Sequence, residues 1–183
     1  MKNFLISIIL ILFITSPLFG QSYDEKRFAF STALVVNALS FNLDKRNSVG
    51  LHFGHFSTGI NENNIDTLEK NFYGFNYAYG FDCINCDSYF VATFLNNGSS
   101  IITTDDGSTY TYSGWGLSII GGFSWYFEND ISVILGTGPA YSNESRENED
   151  IKSDNGFGTD ADDRIEKLNF LPIVPLLFVG FTF

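Results

Sequence analysis

The sequence is poor in charge, cysteine, proline and methionine. Charged residues make up 17% of the 183 positions, with two cysteines, four prolines and one methionine. This composition excludes a disulfide-dense scaffold, a collagen-like chain and an intrinsically disordered chain. Basic residues are also scarce, since ten Lys and Arg stand against 21 Asp and Glu, for a net charge of −11. The acidic balance argues against a partner held through phosphates, so no nucleic-acid partner is expected.

The one long apolar run lies at the start of the chain. Lys2 supplies a positive charge, positions 4–14 are apolar apart from Ser7, and Pro17 breaks the run before Gly20. This order is typical of a secretory signal peptide, so we expect residues 1–20 to be removed on export and residues 21–183 to form one domain. Loss of Lys2 takes the net charge from −11 to −12. No later stretch reaches 18 consecutive apolar residues, so no transmembrane helix is expected.

Aromatic residues and glycine are abundant, and they alternate. The chain has 20 Phe, nine Tyr and 17 Gly. Every odd position in 73–81 is Tyr or Phe, whereas the even positions are small or polar; 115–127 and 131–136 largely repeat the pattern. A period of two predicts β-strands. A second face with almost no charge favours a closed barrel whose large apolar residues meet lipid, over a secreted soluble β-sandwich.

Seven strand candidates follow from this alternation: 28–39, 48–58, 70–81, 88–95, 109–127, 131–142 and 169–183. Bacterial single-chain barrels have an even number of strands, so one strand is missed or two are merged. The predicted fold class is all-β, an antiparallel transmembrane β-barrel of eight strands after a cleaved signal peptide. The long segment 109–127 is interpreted as one strand that continues above the membrane, and the stretch before Phe28 as a place for part of an extra strand.

The last strand candidate alternates and ends on an aromatic residue. Leu177, Val179 and Phe181 share one parity, and Phe183 is the last residue. In these features the chain resembles the small eight-stranded outer-membrane β-barrel proteins of double-membraned bacteria. The resemblance implies an outer-membrane location, contact with outer-membrane lipid and lipopolysaccharide, and recognition of Phe181 and Phe183 by the assembly machinery. It leaves open a structural, adhesin-like or minor-channel role without catalysis.

A periplasmic C-terminus predicts which segments lie outside. Segments 59–69, 96–108 and 143–168 become extracellular loops, while 82–87 and 128–130 become periplasmic turns. The segment 143–168 is acidic and is expected to be a surface loop that could bind divalent cations or bridge through them to lipopolysaccharide. Since its spacing does not match an EF-hand, a solvated loop is favoured. Its charged residues are Glu144, Glu147, Glu149, Asp150, Asp154, Asp160, Asp162, Asp163 and Glu166, with Arg146, Lys152, Arg164 and Lys167.

The two cysteines lie close together in a predicted turn. Cys83 and Cys86 flank Ile84 and Asn85. With no second cysteine pair and only two histidines, a disulfide that staples the turn is favoured over a zinc site or a redox centre. The chain has no glycine-rich phosphate loop and no dinucleotide fingerprint, so neither a cofactor nor a metal is expected.

The two histidines, His52 and His55, lie in one strand candidate. A histidine on a strand is more often a lumen or interfacial residue than a catalyst. His55, Ser57 and Glu69 nevertheless share the odd parity of the expected lipid-facing residues, at the end of one strand and the start of its neighbour. A serine nucleophile, a histidine base and a carboxylate that orients the base would form a triad for acyl transfer.

The stretch 48–57 together with Leu68 and Glu69 resembles the active-site segment of the PagL-type lipid A deacylases. Those proteins are small outer-membrane barrels that hydrolyse an ester-linked acyl chain of lipid A. The resemblance implies that Ser57 is the nucleophile, His55 the general base and Glu69 its partner. The chain differs from the family after the serine, where Thr58 stands in place of an asparagine that helps to form the oxyanion hole. An enzyme of this kind is the alternative to a barrel without catalysis.

Overall fold

The computed structural model of the chain describes residues 27–33, 35–62, 64–152 and 156–183. The predicted signal peptide, 1–20, lies outside the described residues. The stretch 21–26, where part of an extra strand was expected, lies outside them too. Within the described part, eight strands and one helix are present: β1 Phe28–Thr32, β2 Val36–Asn42, β3 Asn47–Glu62, β4 Ile65–Gly80, β5 Ser88–Thr104, β6 Thr109–Tyr126, β7 Ile131–Asp150, α1 Phe157–Leu168 and β8 Phe170–Thr182.

The strands form one antiparallel sheet that closes into a ring, in which each strand pairs with its neighbours in sequence and β8 pairs with β1. The prediction of an eight-stranded, antiparallel, all-β fold is therefore confirmed. The strand missing from the sequence count comes from candidate 28–39, which is two strands, because β1 ends at Thr32 and β2 begins at Val36. Both strands are too short to show their alternation separately.

The two ends of the ring differ. The terminal end carries Phe28, Phe183 and the turns 43–46, 81–87 and 127–130. Of the described residues, the loop end carries 33, 35, 64, 105–108, 151–152 and 156–169. The two predicted periplasmic turns and the C-terminus therefore lie together at one end. The three predicted extracellular segments extend towards the other end.

The predicted extent of those three segments is wrong. Most of 59–69 and 96–108 belongs to strands, and β7 continues to Asp150 before α1 occupies 157–168. The hydrophobic alternation on which the prediction depended stops near residues 58, 95 and 142. Backbone pairing continues beyond it, since Asn97 pairs with Trp115 and Thr103 with Thr109.

Local chemistry explains the tight turns. In the 43–46 turn, the Asp44 carboxylate accepts hydrogen bonds from the backbone N–H groups of Arg46 and Asn47, at 2.7 and 2.9 Å. In the turn between β5 and β6, Asp106 accepts from the N–H of Ser108 at 2.9 Å, and Gly107 has a φ of 81° that favours glycine. Short polar side chains thus replace the ladder hydrogen bonds that end at each turn.

Five strands continue beyond the part of the ring that is closed. β3 pairs with β2 only from Ser48 to Gly54, and β7 pairs with β8 only from Ile131 to Tyr141. We call the remaining parts of β3–β7 the wall: residues 55–62, 65–71, 97–104, 109–113 and 143–150. Helix α1 packs on the inner side of the wall, where Ala161 and Ile165 join Ile65, Leu68, Ile102, Tyr110 and Tyr112 in a buried cluster.

The sequence of α1 suits a helix in this place. Ala161, Ile165 and Leu168 follow a spacing of four and three residues, so they form one apolar stripe that faces the wall. Asp160 in the first turn and Lys167 in the last turn complement the helix dipole. The prediction of one surface loop over 143–168 is wrong, because β7 continues to Asp150 and these short-range signals form α1 despite the high charge of the segment.

Candidate functional site

The outer surface of the ring carries a continuous apolar belt. Large hydrophobic side chains at alternate positions are exposed there, with Tyr73, Phe75 and Ile173 at 66, 67 and 73%. We use the name apolar belt for the outward-facing residues Leu39, Val49, Leu51, Phe53, Tyr73, Phe75, Tyr77, Tyr89, Val91, Leu95, Trp115, Ile119, Trp125, Leu135, Tyr141, Leu171, Ile173, Leu177, Val179 and Phe181. Exposed apolar patches of this extent mark an interaction surface.

The belt has a sharp border on the side of the loop end. In five consecutive strands the outward residue changes from large and apolar to polar within a single step. The pairs are Phe53 and His55, Tyr73 and Asn71, Leu95 and Asn97, Trp115 and Ser113, and Tyr141 and Asn143. Register keeps the border within one outward step from strand to strand, since Phe53 pairs with Tyr73, and Trp115 pairs with both Asn97 and Asn143.

The interior of the ring has the opposite composition. Its buried residues include Ser48, His52, Asn76, Ser88, Ser100, Ser124 and Ser132. The predicted arrangement, with small or polar residues inside and large apolar residues outside, is therefore present. His52 packs edge-on against Phe94 with ring centroids 5.3 Å apart, and within the described part neither of its ring nitrogens has a hydrogen-bond partner.

The predicted triad residues lie on one face, just beyond the belt border. Ser57 of β3 is directly opposite Glu69 of β4, and His55 is two residues before Ser57 on the same outward face. All three side chains are exposed. They do not mark strand ends as expected, because β3 continues to Glu62 and β4 begins at Ile65.

His55 contacts Asn71, whereas the predicted partner is Glu69. His55 lies opposite Asn71, and its Nδ1 is 2.9 Å from Asn71 Oδ1. When the ring proton is on Nδ1, His55 donates to this oxygen and Nε2 remains an acceptor. Glu69 is diagonal to His55, one outward position along β4. Asn71 shares the odd parity of Glu69, so parity places both residues on the outward face beside His55 but does not choose between them.

Cys83 and Cys86 form a disulfide in the 81–87 turn. The turn folds across the interior at the terminal end of the ring. There Asn85 Oδ1 accepts hydrogen bonds from Asn42 Nδ2 at 3.1 Å and from the Tyr126 hydroxyl at 3.0 Å. The backbone N–H of Ile84 also donates to the Lys45 carbonyl at 2.8 Å. The turn is thus held to strands β2 and β6 and to the neighbouring turn.

The C-terminal residues close the seam of the ring. Phe183 exchanges two backbone hydrogen bonds with Phe28, at 3.1 and 2.9 Å, and the two rings stack with centroids 6.1 Å apart. Phe181 pairs with Phe30 and Ile131 and faces outward. Recognition of these residues by an assembly machinery stays a prediction.

Several of the acidic residues predicted as a cation-binding loop have other partners. Glu144 points into the ring, where it forms an ion pair with Lys70 and accepts a hydrogen bond from Ser100 Oγ at 2.6 Å. Asp160 accepts from Asn64 Nδ2 at 3.0 Å. Asp154 lies outside the described residues. Throughout the rest of the described chain, no group of three or more His, Cys, Asp or Glu side chains could hold a metal ion.

Arg146 joins α1 to the wall. Its Nε and Nη2 donate to the two oxygens of Asp162 at 3.1 and 2.6 Å, and Nη2 also donates to the Gly158 carbonyl at 2.6 Å. The Tyr112 hydroxyl donates to the same carboxylate at 2.8 Å, and the guanidinium lies over the Tyr110 ring, 5.0 Å from its centroid. Such a two-pronged contact fits the planar guanidinium.

The same network changes the ionisation of its members. Burial raises the pKa of Tyr112, and the hydrogen bond to Asp162 raises it further. Burial also raises the pKa of Tyr110, and the nearby Asp106 charge acts in the same direction. Burial works against the charged form of Arg146, but the hydrogen bonds to Asp162 outweigh it and raise the Arg146 pKa. The network is therefore most stable with neutral tyrosines and a charged arginine.

In the part of the chain that the structure describes, no helix is long and apolar enough to cross a membrane. No family model, no curated protein and no solved structure matches the chain.

Proposed function

We propose that the chain is exported and spans an outer membrane as an eight-stranded β-barrel, with the wall and α1 on the outside as a surface platform. The observation that carries the proposal is the apolar belt with its shared border in five strands, around an interior of small and polar residues. A lipid bilayer is the environment that suits large apolar residues outside and polar residues inside. A closed ring also leaves no unpaired strand edge in hydrocarbon.

The height of the belt agrees with a bilayer. Trp115 and Trp125 lie on the outward face of β6, near the two borders of the belt. About ten residues at about 3.4 Å each, on a strand tilted by roughly 40°, give a height of about 26 Å. Outer-membrane barrels have an apolar band of about 25 Å with aromatic residues at both interfaces. In this orientation the terminal end is periplasmic. Outer-membrane lipid and lipopolysaccharide surround the ring.

The geometry favours a structural or adhesin-like role over a channel. Eight strands leave an interior that side chains can fill. Just beyond the closed part of the ring, the Lys70–Glu144 ion pair joins β4 to β7 on the inner side of the wall, and α1 lies over the loop end. The surface that remains for an outside partner is the acidic outer side of the wall and of α1, where Glu147, Asp163 and Glu166 are exposed.

Fractionation of expressing cells tests the membrane proposal. The protein should stay in the outer-membrane fraction after a urea wash, dissolve only with detergent, and migrate faster on a gel when it is not boiled. Recovery in the soluble fraction without detergent would contradict the proposal and favour a secreted soluble β-protein.

We propose acyl-ester hydrolysis of lipid A as a second candidate function, supported by one observation. His55, Ser57 and Glu69 share the outward face at the belt border, and Asn71 holds His55 Nδ1. A held imidazole with Nε2 as acceptor could take the proton of Ser57 as the hydroxyl attacks an ester carbonyl. In the proposed orientation this position is level with the outer leaflet.

Mass spectrometry of lipid A tests this second candidate. Cells expressing the wild-type protein should lose one acyl chain from lipid A, whereas Ser57→Ala should leave lipid A intact. Ser99→Ala is the matched control, because Ser99 lies opposite Asn71 in the neighbouring strand and should retain the activity. Intact lipid A in cells with folded wild-type protein would exclude the reaction and leave the membrane proposal unchanged.

A further inference from the structure

A small chamber lies inside the ring at its terminal end. Its volume is about 100 Å³, and none of its described lining residues carries a charged side chain. Its lining combines polar residues, among them Ser31, Ser40 and Asn76, with large apolar ones, among them Phe90, Phe94 and Leu176. The chamber is therefore amphipathic and uncharged, and the exposed acidic residues of the wall take no part in it.

Asn76 gives the chamber an acceptor without a donor. The residue is only 8% exposed, and its Nδ2 donates to Ser40 Oγ at 3.4 Å. Its Oδ1 has no hydrogen-bond partner among the described residues. A buried acceptor left in this state costs about 1–3 kcal/mol, so a donor is expected in the space it borders.

The 81–87 turn covers this chamber. Cys83, Ile84 and Asn85 line it, and the hydrogen bonds from Asn42 and Tyr126 to Asn85 hold the turn in place. The turn is outside the strand ladder, and the disulfide keeps it compact. A ligand could thus enter from the terminal end when the turn moves, without breaking any pairing between strands.

We propose that the chamber is a binding site for a small uncharged organic molecule with one N–H or O–H donor. The donor bonds Asn76 Oδ1, and the apolar body of the molecule packs against Phe94 and Leu176. An apolar cavity of roughly 150 Å³ holds benzene, so this smaller chamber takes a molecule of about five heavy atoms. The inference does not depend on the membrane proposal, since the chamber lies within the ring in any solvent.

Pyrrole and furan are matched probes for this site. The two five-membered rings have nearly the same shape, but only pyrrole carries an N–H donor. The test is a titration of the folded full-length protein in deuterated detergent micelles, followed by NMR of the Ile134 and Leu176 methyl groups and the Asn76 side-chain amide. Both methyl-bearing residues line the chamber. Pyrrole should give saturable shifts at all three positions and bind at least tenfold more tightly than furan.

Three variants separate the donor contact from general partitioning. Asn76→Leu should bind pyrrole and furan equally within about twofold, whereas Asn97→Leu, an outward control on β5, should keep the tenfold preference. Ala78→Leu, which fills the chamber, should bind neither probe.

If Asn76→Leu does not fold, the ratio of the pyrrole and furan affinities of the wild-type protein decides the question alone. Equal affinities for the two probes would overturn the proposal, because the donor contact with Asn76 would then contribute nothing. Shifts that rise linearly without saturation would overturn it as well, because neither probe would then fill the chamber.

Discussion

Lys70 and Glu144 form an ion pair on the inner side of the wall. Both occupy even, inward positions, on β4 and β7, and the Glu144 side chain is only 3% exposed. Two buried charges balance each other, but either one alone would be left uncompensated in a poorly solvated interior. Ser100 adds a hydrogen bond to Glu144 and fixes the carboxylate.

We expect Lys70→Met to lower the free energy of unfolding by about 3–5 kcal/mol, because Glu144 then stays buried without its partner. Adding Glu144→Gln should restore all but about 1–2 kcal/mol, since the amide oxygen can still accept from Ser100. Denaturant unfolding in detergent measures both variants.

Lys152→Met serves as the control for that prediction. Lys152 pairs with Asp150 at 2.7 Å on the exposed surface, where an ion pair contributes about 0–1 kcal/mol. If Lys70→Met lowers the free energy of unfolding no more than Lys152→Met does, the Lys70–Glu144 ion pair is not important for stability.

At the residue scale, parity along the strands predicted faces better than partners. It placed His55, Ser57 and Glu69 on one outward face, which the register bears out. It could not predict that Asn71, rather than Glu69, holds His55, because this depends on the register between β3 and β4. Glu144 was assigned to a loop, since the alternation of apolar residues ends before it, although the strand does not.

Helix α1 is the element that closes the loop end, and Arg146 is its main polar attachment. The guanidinium donates to Asp162 with two nitrogens, a geometry that a lysine ammonium cannot reproduce. The apolar stripe of Ala161 and Ile165 gives the remaining contact with the wall.

Arg146→Lys should therefore lower the protection of the α1 amides from hydrogen exchange by about 1–2 kcal/mol in opening free energy, and Arg146→Ala by at least as much. Lys167→Ala, an exposed change in the last turn of α1, should cost no more than about 0.5 kcal/mol. Equal exchange rates in wild type and Arg146→Lys would argue that apolar contacts alone hold the helix.

Docking of α1 should also fail in alkali. The raised pKa of Tyr112 means that its neutral form is favoured in the folded state. Its contribution to stability is therefore complete below the ordinary tyrosine pKa of about 10 and is lost as the pH rises further. The phenolate would also repel Asp162.

A fluorophore on a cysteine introduced in place of Asp163 can report the release of α1 during a pH titration. Release should begin above pH about 10 in the wild-type background and shift to higher pH with Tyr112→Phe. The same midpoint in both proteins would show that Tyr112 ionisation does not control docking.

At the element scale, the sequence predicts the strands within the closed part of the ring, but it does not predict that five of them continue beyond the belt. Outward polar residues such as Asn97 and Ser113 remove the apolar alternation, while backbone pairing between β5 and β6 continues to Thr103 and Thr109. Candidate 28–39 merged two strands because β1 has only five residues. The helix was hidden by high charge and by its place between two strands.

For the whole molecule, a substitution in the apolar belt can distinguish contact with lipid from contact with water. Leu135 is outward and half exposed near the middle of the belt, between Phe123 and Leu177 on the neighbouring strands. Leu135→Arg should destabilise the protein in lipid vesicles by about 2–4 kcal/mol, because a charge at the bilayer midplane is costly.

The matching substitution above the belt border, Asn97→Arg, should change the free energy of unfolding by no more than about 0.5 kcal/mol. In a water-soluble protein both changes would lie on an exposed surface, and both would be nearly neutral. Equal effects of the two arginines would therefore contradict the belt's contact with lipid.

At the scale of the molecule, the alternation of Tyr and Phe with small residues predicted a closed antiparallel ring, because a period of two and an uncharged second face together restrict the choice of fold. The number eight came from the even strand count of such barrels, since the alternation alone showed seven candidates. The ion pair, the α1 contacts and the chamber could not be predicted in this way. Each joins residues from strands that are far apart in sequence, as Lys70 and Glu144 do across the ring.

Depth-dependent fluorescence quenching by brominated lipids tests whether the apolar belt spans a bilayer. The protein has only two tryptophans, so Trp115→Phe and Trp125→Phe each leave one reporter near a belt border. In a protein that lacks both native tryptophans, Leu135→Trp places a reporter at the belt centre, and Thr103→Trp places one in the wall. In a membrane-spanning barrel, shallow bromines should quench Trp115 and Trp125, deep bromines should quench a tryptophan at position 135, and a tryptophan at position 103 should not be quenched. Absence of quenching at all four positions in vesicles would contradict a membrane-spanning barrel.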